Sequence, residues 1–405
     1  MSKCWNIYGK KHDLTDFLDK HPGGKRVLLL SEGNTDLTSV FESYHAFSNK
    51  ESIRKLLSKY EIQNITVKKQ YDFTNYNKLL NEIKTTTEFS SRNSVKATFF
   101  WGLQNTVVLF SYCASFYMGM FSDYSVFTKC GFSFLAGLFY ISLGFNVMHD
   151  ASHYGVSIFP KVNNLFDKLW HSWGVWNANV WFYHHILHHH SFTGEHRFDP
   201  DLYHLKPFYN KEKSKKQTMF HGNENMLPLL LTVFPGQHLG QAVMYMISQL
   251  KHKIFQISIP EKPMYDTVDK ILLGVKIYCL YQGLFLPTIC YLISLNLWYH
   301  LNIIFDHDTY ETAVENHYEG NDWLKLQVCN SGNFVNDNIV WTKLFGAINF
   351  QIEHHLFPNM SNVHYPTVAP IVKRFCRENN IPYVNHPTLF GAYKSLLKMI
   401  RFHNS

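Results

Sequence analysis

The stretch HHILHHHSFTG, residues 184–194, places five histidines within seven positions. Imidazole is the commonest side-chain ligand for transition metals, so this density indicates metal binding. One ion cannot use every ring along a short helix, and three sets of histidines have a spacing that suits ligation. They are His185, His188 and His189; His184, His188 and His189; and His185, His189 and His190. The residues alone leave these three sets open.

Two further histidine motifs have helical spacing. HDASH contains His149 and His153, and QIEHH contains Gln351, His354 and His355. Residues three or four apart share one face of an α-helix, so each motif presents its side chains to a common point. Three such motifs at the ends of apolar segments favour one shared metal centre over unliganded interfacial histidines, because unpaired polar groups there are costly.

The residue types narrow the choice of metal. The chain has no H-E-x-x-H motif, so the general base of a zinc protease is missing. No cysteine accompanies the histidines, which argues against structural zinc and iron–sulfur sites. Seven or more imidazoles are too many for one ion but suit two. Imidazole binds iron, copper and zinc alike, so the motifs alone do not choose among them.

The N-terminal segment contains HPGG, with His21 at its start, and F-x-x-x-H, with His45 at its end. Residues 4–62 resemble the cytochrome b5 haem-binding domain, beginning at its Cys-Trp strand (Cys4 and Trp5), so the family's usual first strand and helix are expected to be missing. The resemblance implies haem b with His21 and His45 as axial ligands. Bis-histidine ligation leaves no open position on the haem and is typical of electron transfer. A one-electron donor on the same chain favours a redox-active metal, hence iron over zinc.

Apolar segments predict two helical hairpins. Residues 98–121 carry no charge and are long enough to cross about 30 Å of hydrocarbon. Residues 125–148 form a second such segment, and residues 271–305, interrupted by Pro287, are long enough for a tight pair. Of the 38 lysines and arginines, only Lys129 and Lys276 lie within these regions. Both termini and the histidine motifs then fall on one side, which the positive-inside rule makes the cytosol.

Composition excludes other classes. The net charge of +7 comes without a basic patch interleaved with aromatics, so nucleic acid is not an expected partner. The seven cysteines form no C-x-x-C pair and indicate a reducing, cytosol-facing environment. Lys10 and Lys11 precede no apolar stretch, so no cleavable leader is expected. The aromatic cluster WHSWGVWNANVW, residues 170–181, is too polar to span a membrane and fits the headgroup belt.

Beyond the histidine motifs, DPD at 199–201 and LFGAINFQIEHHLFPNMSNVHYPTVAPIV at 344–372 make the chain similar to membrane fatty acid desaturases of the front-end type. The resemblance implies a mainly α fold. A small α+β cytochrome b5-like domain (1–65) is followed by a linker or amphipathic segment (66–97). A multi-pass helical desaturase domain (98–405) completes the chain, with about four transmembrane helices and a cytosolic cap of histidines.

The resemblance also selects a register in HHILHHHSFTG. Only His185, His189 and His190 place Phe192, Thr193 and DPD where the family has them. His184 and His188 then become neighbours of the site. In that family the metal centre is a non-haem di-iron site, and the ligands implied by motif are His149, His153, His185, His189, His190, His354 and His355.

A few further residues are implied less directly. His307, in FDHDTY, matches an additional family histidine that lies in S-H-N, although aspartates flank it here. Gln351 stands where many desaturases have a histidine, and either binds metal or orients a neighbour. Asp150, Asp199 and Asp201 are expected to accept hydrogen bonds from ligand imidazoles.

The implied activity is oxygen-dependent desaturation of long-chain, (poly)unsaturated fatty acyl chains, of the Δ5/Δ6-like front-end kind. NADH would supply electrons through a separate cytochrome b5 reductase, and the substrate would be an acyl lipid or acyl-CoA. The expected location is the endoplasmic reticulum membrane. A sphingoid-base desaturase or a lipid hydroxylase on the same scaffold is the nearest alternative. A non-enzymatic membrane carrier of haem or metal is an alternative of another class.

Overall fold

The computed structural model describes residues 4–33, 36–65, 69–196, 198–203, 237–255, 257–259 and 265–404. Within these ranges the chain is mostly helical, and its longest strand, Glu61–Asn64, belongs to a small N-terminal unit. The predicted mainly α fold is confirmed, with a small strand-containing unit ahead of a helical domain.

The N-terminal unit, residues 4–65, is called the haem module below. Its three strands form an antiparallel sheet in the order Trp5–Ile7, Lys10–His12, Glu61–Asn64. Trp5 is fully buried under this sheet, and its indole nitrogen donates to the Leu28 carbonyl oxygen at 2.8 Å. Helices complete the module: Thr15–Lys20, Lys25–Ser31, Thr38–Tyr44, Lys50–Leu57 and Ser58–Tyr60.

The first predicted hairpin forms, with helices Phe99–Phe121 and Val126–Leu143. The side chains of Thr98 and Ser125 cap the two helices by accepting backbone hydrogen bonds from the first turn. The second helix lies against Phe285–Ile303, and Gly137 leaves no room for a Cβ beside Ser294. Small residues at such crossings allow helix backbones to approach closely.

The third apolar region also forms a pair, Thr267–Gln282 and Phe285–Ile303. The break falls at Gly283 and Leu284, where Leu284 has a φ of 65°. Pro287 does not interrupt the pair. It lies in the first turn of the second helix, where its missing N–H has no intrahelical partner to lose.

Among the described residues, one helix, Val126–Ser152, is long and apolar enough by length and composition to cross a membrane. It combines Val126–Leu143, a π-helical turn Gly144–Met148, and His149–Ser152, whose C-cap His153 completes HDASH. The number of spans, about four, therefore remains a prediction.

The remaining elements surround the ends of these helices. A parallel pair of strands, Gly332–Phe334 and Val384–His386, and an antiparallel pair, Lys253–Ile254 and Ile257–Ser258, are both short. The helices are Thr74–Thr86, Pro160–Trp173, Ala178–Trp181, Phe182–His189, Pro200–Tyr203, Gln237–Lys251, Glu311–Glu315, Trp323–Cys329, Ile339–Leu344, Gln351–Leu356, Asn362–His364, Tyr365–Glu378 and Leu389–Asn404.

The predicted headgroup location is wrong for two members of the tryptophan cluster. Trp176 and Trp181 are buried, at 1% and 9% exposure. Trp176 packs edge-on against Tyr299, with ring centroids 5.5 Å apart. Trp181 stacks on His185, with centroids 4.2 Å apart. These rings line the interior beside the histidines because the segment between and within helices Pro160–Trp173 and Ala178–Trp181 folds back onto the bundle.

The haem module packs directly against the helical domain. The Arg26 guanidinium lies 2.7 Å from the Asp167 carboxylate and also donates to the side chain of Asn164. It donates further to the Asn179 side chain and to the Ala178 carbonyl oxygen. A planar guanidinium with several N–H donors suits such a polar pocket. This contact fixes HPGGKR, the segment that carries His21, against the start of the second histidine motif.

Candidate metal centre and haem crevice

Eight histidines converge at the end of the first hairpin and are called the histidine cluster below. They come from four separate segments of the chain, and every ring lies close to at least two others. Seven of them are buried and His307 is partly exposed. The members are His149, His153, His185, His189, His190, His307, His354 and His355.

The nitrogens of the cluster fall into two main groups with ligand atoms within 4.8 Å of one another. A third set, His190, His354 and His355, shares one residue with each group. His190 Nε2 lies 3.0 Å from His354 Nε2 and 3.2 Å from His185 Nε2 of the first group. Two nitrogens bound to one ion at about 2 Å each are roughly 3 Å apart. The first group is His149, His153, His185 and His354, and the second is His189, His307 and His355.

Outer contacts orient the rings of the second group. His189 Nδ1 lies 3.0 Å from the Asp199 carboxylate, and His307 Nδ1 lies 2.7 Å from the Asn330 carbonyl oxygen. His355 Nδ1 lies 2.9 Å from the Gln327 amide oxygen. An imidazole that donates its Nδ1 proton to an acceptor presents the lone pair of Nε2 on its other side. The Nε2 atoms of these rings therefore face inward as electron-pair donors.

Burial sets the charge state of the cluster. It lowers the pKa of His307 to about 4 and those of His190 and His355 well below the usual value. Neighbouring rings lower these pKa values further, because a proton on one imidazole disfavours a proton on the next. These imidazoles are therefore neutral at physiological pH, and neutral imidazole is the form that binds metal.

The second histidine motif is a π-helix, Phe182–His189, not an α-helix as the spacing argument assumed. The His190 backbone N–H donates to the His185 carbonyl oxygen at 3.0 Å, five residues back. Hydrogen bonds between residues five apart bring His185 and His190 to one face of the helix, whereas the four-residue hydrogen bonds of an α-helix would not. His184 instead contacts Asp201, with 2.6 Å from Nε2 to the carboxylate. Neither His184 nor His188 belongs to any of the candidate metal groups found among the described residues.

The Gln351 side chain reaches the same point as the second group. Its amide nitrogen lies 2.9 Å from His307 Nε2 and 3.1 Å from His355 Nε2. Its buried amide oxygen has no hydrogen-bond partner among the described residues. Rotating the amide by half a turn exchanges these two atoms and places an oxygen donor beside both nitrogens. The side chain can therefore either donate to the two rings or offer an oxygen to the ion they share.

The three aspartates have different surroundings. Asp199 and Asp201 both approach His189 Nδ1, at 3.0 and 3.3 Å. Asp150 does not orient a ligand imidazole as expected, because its carboxylate accepts hydrogen bonds from Ser361 and from the Asn362 backbone. It ties the first histidine motif to the segment that follows the third.

The cluster fits two metal ions. Its donors are nitrogens with lone pairs turned inward, they form two groups, and His153 Nε2 is buried without a hydrogen-bond partner among the described residues. An unsatisfied buried nitrogen is costly unless a ligand pairs with it.

The haem crevice is a separate site. The rings of His21 and His45 face each other there, with centroids 6.4 Å apart.

The crevice fits one metal ion held between two imidazoles. Two nitrogen–metal bonds of about 2 Å put the ring centroids roughly 6 Å apart. His21 Nδ1 lies 3.1 Å from the Gly24 carbonyl oxygen, and His45 Nδ1 lies 2.8 Å from that of Phe41, which leaves each Nε2 for the ion. A Cβ on Gly23 would lie 2.6 Å from His21 Cε1, so only glycine fits there. Burial lowers the pKa of His45 to about 4, which keeps the imidazole neutral.

Several contacts of the cluster were absent from the sequence prediction. Gln327, Asn330 and Tyr365 each contact a clustered histidine, and so does Tyr44 of the haem module. None of them stands at a recognisable spacing from a histidine motif. Their only signal is polarity in otherwise apolar surroundings, which also marks many unrelated residues. Thr193, noted in the sequence as a register marker, lies 3.1 Å from His355 Nδ1.

A buried histidine centre beside a bis-histidine crevice is the arrangement of a redox protein, and the comparisons with known proteins agree. The model of the fatty acid desaturase family matches residues 126–387, and that of the cytochrome b5-like haem/steroid binding domain matches residues 2–66. The chain therefore belongs to the fatty acid desaturase family. It is an oxidoreductase and, with its family, a membrane protein.

Relatives resemble the chain over nearly its whole length. It is 28% identical to an acyl-lipid (8-3)-desaturase of Mortierella alpina, over 98% of this chain and 92% of the relative. It is 27% identical to a Delta(5) fatty acid desaturase A of Dictyostelium discoideum, over 97% and 89%. It is 25% identical to a Delta(8)-fatty-acid desaturase 2 of Arabidopsis thaliana, over 93% and 85%. The predicted family and the predicted N-terminal domain are both confirmed.

Proposed function

We propose that the chain is a front-end acyl-lipid desaturase that uses dioxygen and a non-haem di-iron centre to insert a double bond into a polyunsaturated acyl chain. The observation that carries this proposal is the histidine cluster, a buried, imidazole-rich site with two main groups of candidate ligands, with a haem crevice on the same chain. Imidazole donors suit iron, and a one-electron donor suits a metal that changes oxidation state.

The eight histidines of the cluster would hold the two ions, with Gln351 as a further oxygen donor to the second. Bound iron supplies the oxygen-derived oxidant that methylene C–H bonds require, since these bonds have no acidity for side chains to exploit. The protein itself contributes by holding the ligand rings in fixed orientations. Asp199, Asn330 and Gln327 fix the orientation of three rings through Nδ1.

The aromatic residues beside the cluster would keep water from the reacting carbons. Phe145, Trp176, Trp181 and Tyr299 are buried and in mutual contact near the first metal group. Phe145 lies 6.3 Å from His149 between ring centroids. Such a wall offers apolar contacts to an acyl chain and excludes competing reactions of the oxidant.

His21 and His45 would hold haem b and pass electrons to the cluster. NADH, acting through a separate cytochrome b5 reductase, is the proposed source. The location proposed is the endoplasmic reticulum membrane, with the histidine motifs and both termini in the cytosol, because basic residues flank the apolar segments on that side. The relatives are named for several double-bond positions, and Δ5 and Δ8 both occur among them.

The test is expression in a host that lacks this activity, fed single polyunsaturated acids of defined chain length. Double-bond mapping of the recovered lipids should show one new bond on the carboxyl side of the existing ones. A hydroxyl in place of the bond would indicate a hydroxylase, and an altered long-chain base would indicate a sphingoid-base desaturase. No new product with both haem and iron loaded would contradict the proposal and favour the non-enzymatic carrier. His189→Ala in the same host is the inactive control.

A further inference from the structure

One side chain of the haem module reaches into the histidine cluster. Tyr44 directly precedes His45 in the sequence, and its phenol oxygen lies 2.6 Å from His153 Nδ1. The two rings are nearly parallel, with an interplanar angle of 21° and centroids 6.1 Å apart. A residue adjacent to the haem crevice ligand therefore contacts a member of the metal centre through a single hydrogen bond.

The direction of this hydrogen bond follows from the other nitrogen of His153. His153 belongs to the first metal group, and its Nε2 is buried with no hydrogen-bond partner among the described residues. If Nε2 binds the ion, Nδ1 carries the ring proton and donates it to the Tyr44 oxygen. Tyr44 is then the acceptor that fixes the tautomer of His153.

The backbone of Tyr44 is also held. Its carbonyl oxygen accepts a hydrogen bond of 2.6 Å from the Asn359 side chain, which lies just beyond the third histidine motif. On another face of the haem module, Arg26 forms its buried pair with Asp167. Two anchors in the helical domain thus hold the module and set the position of the Tyr44 ring between the two redox sites.

We propose that Tyr44 is the positioning residue that couples the haem to the iron centre, and this rests on the proposed function. The coupling route is the peptide bond from His45 to Tyr44, the phenol ring, and the hydrogen bond to His153. In the step one electron leaves ferrous haem, which becomes ferric, and arrives at a ferric ion of the cluster, which becomes ferrous. No covalent bond forms or breaks, and Tyr44 keeps its proton.

The test compares Tyr44→Phe with the wild-type full chain, both loaded with haem and iron. Without oxygen, a light flash excites an added flavin that, with a sacrificial amine as electron donor, reduces the haem, and re-oxidation of the haem is followed through its visible absorption. We expect Tyr44→Phe to slow re-oxidation about 10- to 100-fold, the range typical of outer-shell partners of metal ligands. Thermal midpoint, haem content and iron content should match those of the wild type.

Two further variants and one rescue sharpen the test. Tyr60→Phe removes a phenol oxygen from the same module without a contact to the cluster, and should re-oxidise like the wild type. Asn359→Ala leaves the Tyr44 side chain intact but frees its backbone, and should slow re-oxidation by a smaller factor. A small-molecule reductant, dithionite with methyl viologen, reduces the iron directly and should restore product formation by Tyr44→Phe.

The possible results distinguish a failure of the Tyr44 proposal from a failure of the proposed function. Re-oxidation of Tyr44→Phe at the wild-type rate overturns the proposal. Loss of iron, or loss of product even with the small-molecule reductant, also overturns it, because Tyr44 would then only orient His153. A wild-type chain that makes no product from any fed acid overturns the proposed function itself, whatever the variant does.

Discussion

Removing the Arg26 side chain should detach the haem module from the helical domain without disturbing the crevice. The guanidinium makes hydrogen bonds to four residues, all of them in the helical domain, and the strongest pairs it with the Asp167 carboxylate at 2.7 Å. Asp167 is 2% exposed, so Arg26→Ala leaves a buried carboxylate without its arginine, while the His171 imidazole, 2.9 Å away, stays beside it. The expected result is looser docking with an unchanged haem spectrum.

The magnitude follows from burial. Breaking a buried ion pair by removing one partner costs about 3–5 kcal/mol. The Arg26 side chain is 24% exposed, so water hydrates part of the opened site and the lower end, about 3 kcal/mol, is expected. This corresponds to a roughly hundredfold shift in the ratio of docked to undocked module. Arg26→Lys keeps the charge but loses the planar fork, and should have an intermediate effect.

Hydrogen–deuterium exchange measures this directly. Peptides covering 160–181 should exchange faster in Arg26→Ala than in the wild type. The matched control is Lys25→Ala, the neighbouring residue, whose pair with Asp19 is exposed on both sides. Exposed pairs contribute about 0–1 kcal/mol, so this control should exchange like the wild type. Equal exchange in all three proteins, or equal effects of both variants, would refute the reasoning.

Three other changes have defined outcomes. His189→Ala should abolish product and His188→Ala should leave it near normal, measured in fed cells; equal damage from both would mean that the register is wrong. Gly23→Ala should lower the haem-to-protein absorbance ratio, because its Cβ would press on the His21 ring, while iron content stays unchanged. Chelating the non-haem iron should lower the thermal midpoint of the helical domain, since metal binding contributes to folding stability. A calorimetric scan showing the same midpoint with and without iron would contradict that expectation.

The sequence predicted where the apolar helices lie better than it predicted where the chain turns between them. Long apolar runs with few charges located both hairpins, because such runs are buried in lipid or in protein whatever their detailed packing. Pro287 was the natural place to break the second pair, yet proline is tolerated in the first helical turn. The chain turns instead at Gly283 and Leu284, where the backbone conformation depends on how the two helices pack.

The sequence indicated the histidines of the site but not what orients them. Repeated spacing near apolar ends identified the motifs, whereas Gln327 and Asn330 reach the cluster only because distant segments fold together. Asp150 was expected beside an imidazole because it follows His149, but its carboxylate points to the segment after the third motif. Trp181, amphipathic by type, was expected at the headgroups and stacks on a histidine instead.

Because the second histidine motif is π-helical, the number of residues between its histidines decides which rings can bind the same metal. His185 and His190 meet because hydrogen bonds there join residues five apart. Deleting one residue between them, such as Ile186, would let the segment relax into an α-helix with the same two rings four apart. The same deletion would place His189, whose ring is held by Asp199, three residues after His185 instead of four. The positions of all three rings therefore depend on the number of residues between them, and a design that copies this site must copy the π-helical turn with it.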